Sequence, residues 1–277
     1  MVIAGLSMAA TGPAWAENDP SIAAIEQRHG GRLGVFAIDT GSNRTIAHRA
    51  DERFLMCSTF KGLLAALVLA RIDTGKESLA RQIDYSKQDI LITSSVTEAN
   101  VAKGRMTVED LLRAMLEHSD NTAANLLLRS AGGPAALTQF LRGIGDTVTR
   151  CDRYELTANQ HDGALDTSSP RAIVGSARQI LLGNVLTPAS RTRLEAGMIA
   201  CKRGSARLRA ALPQNWSIGN RAGENGSDES NDYVITRPPG RAPLLIAVYY
   251  NAPNTSTADR EAVIREAGSA FVAWAGI

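Results

Sequence analysis

Strand-like segments occur at the two ends of this chain, with a mostly helical pattern between them. Near the start, Arg32 to Asp39 reads as a strand, closed by the turn residues Thr40-Gly41-Ser42-Asn43 before Arg44 to His48 returns, which is an antiparallel hairpin. Near the end, Trp216 to Asn220, Asp232 to Arg237 and Leu244 to Tyr250 are separated by Gly-rich or Pro-rich turns. Between about residue 58 and residue 200 the periodicity is helical: Thr107-Val108-Glu109-Asp110 resembles a capping box opening Leu111 to Leu116, Thr122 to Leu128 continues apolar, and Gly132-Gly133-Pro134 stops that helix. Ser21 to Arg28 and Asp259 to Trp274 add terminal helices, the second with apolar Val263, Ala267, Ala270 and Trp274 at helical spacing. The pattern predicts an α+β protein, an antiparallel sheet flanked by terminal helices plus an inserted all-helical domain. The expected boundaries are 17–50 with 200–277 for the sheet domain and 51–199 for the helical one, with an active site between them. Between Gly145 and Pro170 the periodicity lapses, and a loop of that length in a compact domain is kept for function or as a packed Ω-loop, here about 150–169.

With 277 residues, 44% of them hydrophobic, a sizeable core is available. Thirty basic against 28 acidic residues give a net charge of +2 without a basic block, which points away from nucleic acid and acidic membrane surfaces and toward a small-molecule ligand. Residues 1–16 are nearly uncharged and end in Ala14-Trp15-Ala16 before polar Glu17-Asn18-Asp19-Pro20, the pattern of a signal peptide cut after Ala16. No other apolar run approaches membrane-spanning length. Cys57, Cys151 and Cys201 match no zinc spacing and cannot all pair within one chain; the four His residues are scattered, so neither a metal nor another cofactor is expected.

Polar residues interrupt this background at a few places. Ser58 and Lys61 stand three apart at the mouth of an apolar helix, where Lys61 Nζ is expected to reach Ser58 Oγ and the helix N-terminus directs N–H groups at the same spot, as an activated serine requires. A capping serine followed by an outward lysine would give the same spacing. Ser119-Asp120-Asn121 puts a hydroxyl and an amide on one loop, suited to proton transfer and anchoring, or to helix capping. Glu155 and Asn159, four apart in the long loop, could hold and deprotonate one water, while Arg153 and Asp166 could pair across its base. Arg221 beside Ala222 and Gly223 offers a cation where a ligand can approach the backbone, and Arg207 is a second cation, both suited to a carboxylate-bearing substrate.

Taken in order, these residues resemble the class A serine β-lactamase family, whose signatures are S-x-x-K, S-D-N and K-T-G with a glutamate in an Ω-loop. The resemblance runs from about Ser21 to the C-terminus and includes Asn121 to Leu128, Gly132-Gly133-Pro134, Asp166 to Pro170 and Gly240-Arg241-Ala242-Pro243. It implies hydrolysis of the β-lactam amide bond through a serine acyl-enzyme, resistance to β-lactam antibiotics, and a monomer in the periplasm or medium. It implies that Ser58 attacks, Lys61 accepts or relays the proton, Ser119 passes a proton to the lactam nitrogen, Asn121 holds the acylamide, and Glu155 with Asn159 positions the hydrolytic water. Backbone N–H groups of Ser58 and Glu224 would form the oxyanion hole. The chain departs from the pattern in writing Arg221-Ala222-Gly223 for K-T-G, which removes a hydroxyl from the carboxylate site, while Arg207 could offset part of the loss and Glu224 disfavours an anion. Thr93 replaces an aromatic rim residue, the loop from Glu155 to Asp166 is two residues short, and Asn225 stands where a disulfide partner for Cys57 would be, so no such bridge is expected. The competing readings are a D-alanyl-D-alanine peptidase, which lacks the Ω-loop acid, and a penicillin-binding sensor that is acylated but slowly hydrolysed.

Overall fold

The computed structural model describes residues 19–276; the expected leader, residues 1–16, lies outside the described residues. The helices in chain order are α1 (Pro20–His29), α2 (Phe60–Asp73), α3 (Ser95–Ala99), α4 (Val108–His118), α5 (Asn121–Ser130), α6 (Pro134–Gly143), α7 (Pro170–Leu182), α8 (Pro188–Ile199), α9 (Leu208–Ala211) and α10 (Thr257–Ala275). The strands are β1 (Arg32–Asp39), β2 (Thr45–His48), β3 (Phe54–Leu55), β4 (Gln82–Asp84), β5 (Arg105–Thr107), β6 (Thr167–Ser168), β7 (Ser217–Glu224), β8 (Glu229–Arg237) and β9 (Leu244–Asn251).

One five-stranded sheet runs in the order β2-β1-β9-β8-β7 and is antiparallel throughout. Early β1 lies beside late β9 because each alternates apolar residues on both faces and needs cover on both. Leu33, Val35 and Ala37 of β1 join Leu244, Ile246, Val248 and Tyr250 of β9 in a core under α1 and α10. The opposite faces, Phe36 and Ile38 with Leu245, Ala247 and Tyr249, join the larger core of the helical part. β7 and β8 are longer than the apolar runs suggest, because paired backbone carries the ladder through Arg221-Ala222-Gly223-Glu224 and through polar Glu229 to Asn231. The buried stripe of α10 is Val263, Ile264, Ala267 and Phe271; Ala270 and Trp274 pack only at its edge.

Helix α2 is buried continuously from Phe60 to Leu69, all round rather than on one face, and packs against α4, α5 and α8. Thr107 caps α4, its hydroxyl accepting from Asp110 N at 3.1 Å. The segment from Gly145 to Pro170 contains only a single 3-10 turn, Thr157–Asn159, and the two-residue strand β6, which pairs with β3 just before Ser58. Met56 N donates to Asp166 O at 2.9 Å, so the end of the long loop is stitched to the chain leading into α2. Among the described residues no helix is long and apolar enough to cross a membrane.

Candidate active site

Ser58 sits in a 3-10 turn, Cys57–Thr59, that leads into α2, and Cys57 takes a left-handed φ of 47°. Thr59 Oγ1 fixes the turn from below, within 2.7 Å of Met56 O and 2.9 Å of Tyr249 Oη on β9. Gly223 on β7 fixes it from the side: a Cβ there would lie 2.8 Å from Met56 O and 2.9 Å from the backbone nitrogens of Ser58 and Thr59. Only a residue without a side chain lets the strand lie this close, and the close approach aligns the end of β7 with the Ser58 N–H. Burial pushes the neighbouring Cys57 thiol well above its ordinary pKa, an inert side chain rather than a second nucleophile. Cys57, Cys151 and Cys201 are all free.

Lys61 is fully buried, and its ammonium does not go to Ser58. Nζ donates to Ser119 O at 2.7 Å, Ser119 Oγ at 3.1 Å and Asn121 Oδ1 at 2.6 Å, and lies 3.1 Å from Glu155 Oε1. This corrects the expected Lys61–Ser58 hydrogen bond. The i,i+3 argument needs both residues on one α-helix, whereas Ser58 precedes its first residue in a tighter turn, and the oxygens of Ser119, Asn121 and Glu155 offer the cation stronger partners. Burial lowers the Lys61 pKa, with the Glu155 carboxylate opposing that shift and the Arg221 guanidinium adding to it.

Ser119 ends α4 in a left-handed conformation, φ 60°, and Asp120 caps α5. The Asp120 carboxylate accepts from Ala123 N, from Val96 N and Thr97 N and from the Thr97 hydroxyl, so the middle residue of the triplet ties three segments together while its neighbours face the cleft. Asn121 is oriented from both ends, its Nδ2 donating to Ile92 O at 2.9 Å and its Oδ1 accepting from Lys61.

On the other side, the Glu155 side chain is fully buried and Asn159 Nδ2 donates to its Oε2 at 2.6 Å. Asn125 of α5 clamps the Glu155 backbone, donating to Glu155 O at 2.8 Å and accepting from Glu155 N at 3.0 Å. Asp166 closes the loop's base: its carboxylate accepts from Asp152 N, Arg153 N and Arg153 Nε, the last at 2.6 Å.

The remaining wall comes from β7 and the segment before α9. Ser58, Ser119, Asn121, Asn159, Arg207, Ala222, Gly223 and Glu224 line a cleft of about 480 Å³, with Thr93 and exposed Ile92 at its rim. Arg221 does not line it, contrary to the sequence expectation of a substrate-facing cation. Its side chain is fully buried on the α2 side of the sheet, where Nη1 donates to Leu116 O and lies 3.5 Å from Cys201 Sγ. Arg207 is also buried: Nε donates to Glu261, Nη1 to Gly223 O and Asn231 O, and Nη2 to Glu224 Oε2 at 2.6 Å.

A model of the Beta-lactamase enzyme family matches residues 19–275. The chain is 45% identical to a carbapenem-hydrolyzing beta-lactamase, KPC, of Klebsiella oxytoca over 248 residues, 88% of this chain and 84% of that one. It is 43% identical to a beta-lactamase of Streptomyces albus G over 82% of this chain and 74% of that one. A crystal structure of a beta lactamase from Burkholderia vietnamiensis superposes with a TM-score of 0.92 at 63% identity, covering 92% and 95% of the two chains, and an ancestral class A beta-lactamase with 0.89 at 50% identity, covering 91% and 98%. This chain is a class A serine β-lactamase.

As a β-lactamase it carries its signature residues on four separate elements. The turn before α2 gives Ser58, α2 gives Lys61, the α4–α5 junction gives Ser119 and Asn121, and the long loop gives Glu155 and Asn159. Asn125 and Glu261 were not singled out as site residues from the sequence, since each acts on a partner 30 or 54 positions away and carries no local pattern.

Proposed function

We propose that β-lactam hydrolysis in this enzyme runs through Ser58 and Glu155, with Lys61 as the proton relay between Glu155 and Ser119. Ser58 Oγ attacks the lactam carbonyl carbon and its proton passes to the Lys61–Glu155 pair. The carbonyl oxygen takes the negative charge against the Ser58 and Glu224 N–H groups, each worth on the order of 3 kcal/mol in such sites. The carbonyl–nitrogen bond then breaks and Ser119 Oγ protonates the departing nitrogen, recovering a proton from Lys61, to which it lies 3.1 Å away. In the second half Glu155 removes a proton from water, which attacks the ester carbon; the ester bond breaks and Ser58 regains its proton. A lysine whose pKa burial lowers gives up and takes back a proton near neutral pH more readily than a solvated one.

The observation that carries this reading is the buried Glu155 carboxylate, 3.1 Å from Lys61 Nζ and held by Asn159 at 2.6 Å. It favours a hydrolase over a peptidase without an Ω-loop acid, or a sensor that stays acylated. Intact-protein mass spectrometry with benzylpenicillin tests it. The native enzyme should return to its free mass as product forms, Ser58→Ala should never gain the adduct, and Glu155→Gln should accumulate it with turnover reduced by roughly 10² to 10⁴. A native adduct lasting hours would support the sensor instead. The KPC relative places carbapenems on the panel of substrates to test. We further propose a monomer exported to the periplasm or medium, with a sheet domain (17–50, 200–277) and a helical domain (51–199) meeting at the cleft.

A further inference from the structure

Two guanidiniums line the cleft, exposed Arg203 and buried Arg207, and Arg207 is already engaged by the protein's own acceptors. Four of its five N–H donors are taken, two by carboxylates: Glu261 Oε1 at 3.0 Å on Nε and Glu224 Oε2 at 2.6 Å on Nη2. The two glutamates are not equivalent. Both line the cleft, but the Glu261 side chain is 24% exposed, whereas Glu224 is 42% exposed and stands at the end of β7 beside Gly223 and Ser58. The Arg207 side chain is 3% exposed, so an incoming anion reaches it only past the carboxylates that cover it, of which Glu224 is the more exposed. Beside it Ala222 presents a methyl group with no hydroxyl to bind an anion instead.

We propose that Glu224 is a specificity-determining residue: its carboxylate is a built-in competitor seated on Arg207 where the carboxylate of a β-lactam would dock. The inference rests on the reading of the Ser58 cleft given above. A substrate anion must displace Glu224 into solvent or bind without Arg207, leaving it only the exposed, solvated Lys202 and Arg203 of the same cleft. Displacement exchanges one charge-assisted hydrogen bond for another, so the substrate's own carboxylate brings little net gain. The enzyme is therefore indifferent to a group that an open Arg207 would select strongly.

Benzylpenicillin and its methyl ester, which differ in that one charge, separate this effect from any change at the oxyanion hole, because such a change acts on both. In the native enzyme kcat/KM for the acid should exceed that for the ester by only a few-fold. In Glu224→Ala, which keeps the backbone N–H and frees Nη2, the acid-to-ester ratio should rise about tenfold or more, since charge-assisted hydrogen bonds are the strong ones. Glu224→Gln should rise less, because the amide still occupies the place without the charge. An unchanged or reduced ratio in Glu224→Ala overturns the proposal, as does a native ratio already above a hundred. Failure of both compounds to label Ser58 in the native enzyme overturns the site reading itself, which the ratio in a working enzyme does not test.

Discussion

A side chain's type can be read from sequence while its direction cannot, and Arg221 and Lys61 show the difference. Both are basic residues at motif positions, yet strand pairing with Tyr233 puts Arg221 on the sheet face toward α2, and packing fixes its guanidinium on Leu116 O. Glu229 is a similar case one strand over. It pairs with Asn251 across β8 and β9, its Oε1 accepting from Asn251 Nδ2 at 3.0 Å while Oε2 has no partner. Burial, with the Asp228 charge beside it, pushes its pKa up from 4.5 to about 8. The unfolded chain therefore ionises Glu229 first: the stabilising effect of the proton is complete below about pH 4.5 and is lost as pH rises through about 8. Glu229→Gln keeps the shape and removes the titration, so relative to the native enzyme it should gain on the order of 3 kcal/mol in unfolding free energy between pH 5 and pH 8. Urea denaturation at the two pH values measures this, and parallel pH dependences would show that Glu229 ionises freely in the fold.

At the scale of elements, the helices and strands follow from periodicity, but the loop from Gly145 to Pro170 follows from pairings that periodicity does not contain. Its existence was legible because nothing regular fits that stretch; its shape was not, because it is set by Asn125 on α5, by β3 and by the buried Asp166 carboxylate. Asp166 accepts two backbone N–H groups and the Arg153 guanidinium while holding a left-handed φ of 53°, a conformation asparagine also tolerates. Asp166→Asn should then remove the charge without backbone strain. Because Arg153 is partly exposed, the cost should be nearer 2 kcal/mol than the about 3–5 of a fully buried pair. The loop carries Glu155 but not Ser58, so deacylation should slow more than acylation, and stopped-flow absorbance should show a burst of β-lactam ring opening, stoichiometric with enzyme, that the native enzyme lacks. Equal slowing of both steps would mean the loop does not position Glu155 separately.

For the whole molecule, the sheet joins strands from opposite ends of the chain, and that much was legible because β1 and β9 each need partners on two sides and the middle of the sequence offers few. What was not legible is how closely this sheet meets the helical part at Ser58. The junction is backbone against backbone: a Cβ on Gly223 would sit 2.8 Å from Met56 O and 2.9 Å from two amide nitrogens, with no flexible side chain able to yield. Gly223→Ala must therefore push β7 and the Ser58 turn apart. Overpacking of this kind costs about 1–3 kcal/mol, but the larger effect should be kinetic, since Glu224 N–H and Ser58 N–H must converge on one oxygen and a displacement of about 1 Å costs on the order of 10² in rate. We expect kcat/KM for benzylpenicillin, which reports the acylation half, to fall by roughly 10² while the thermal midpoint drops by only a few degrees. A variant as unstable as expected but fully active would show that the strand and the turn can separate without harm. The oxyanion would then be held by donors other than these two.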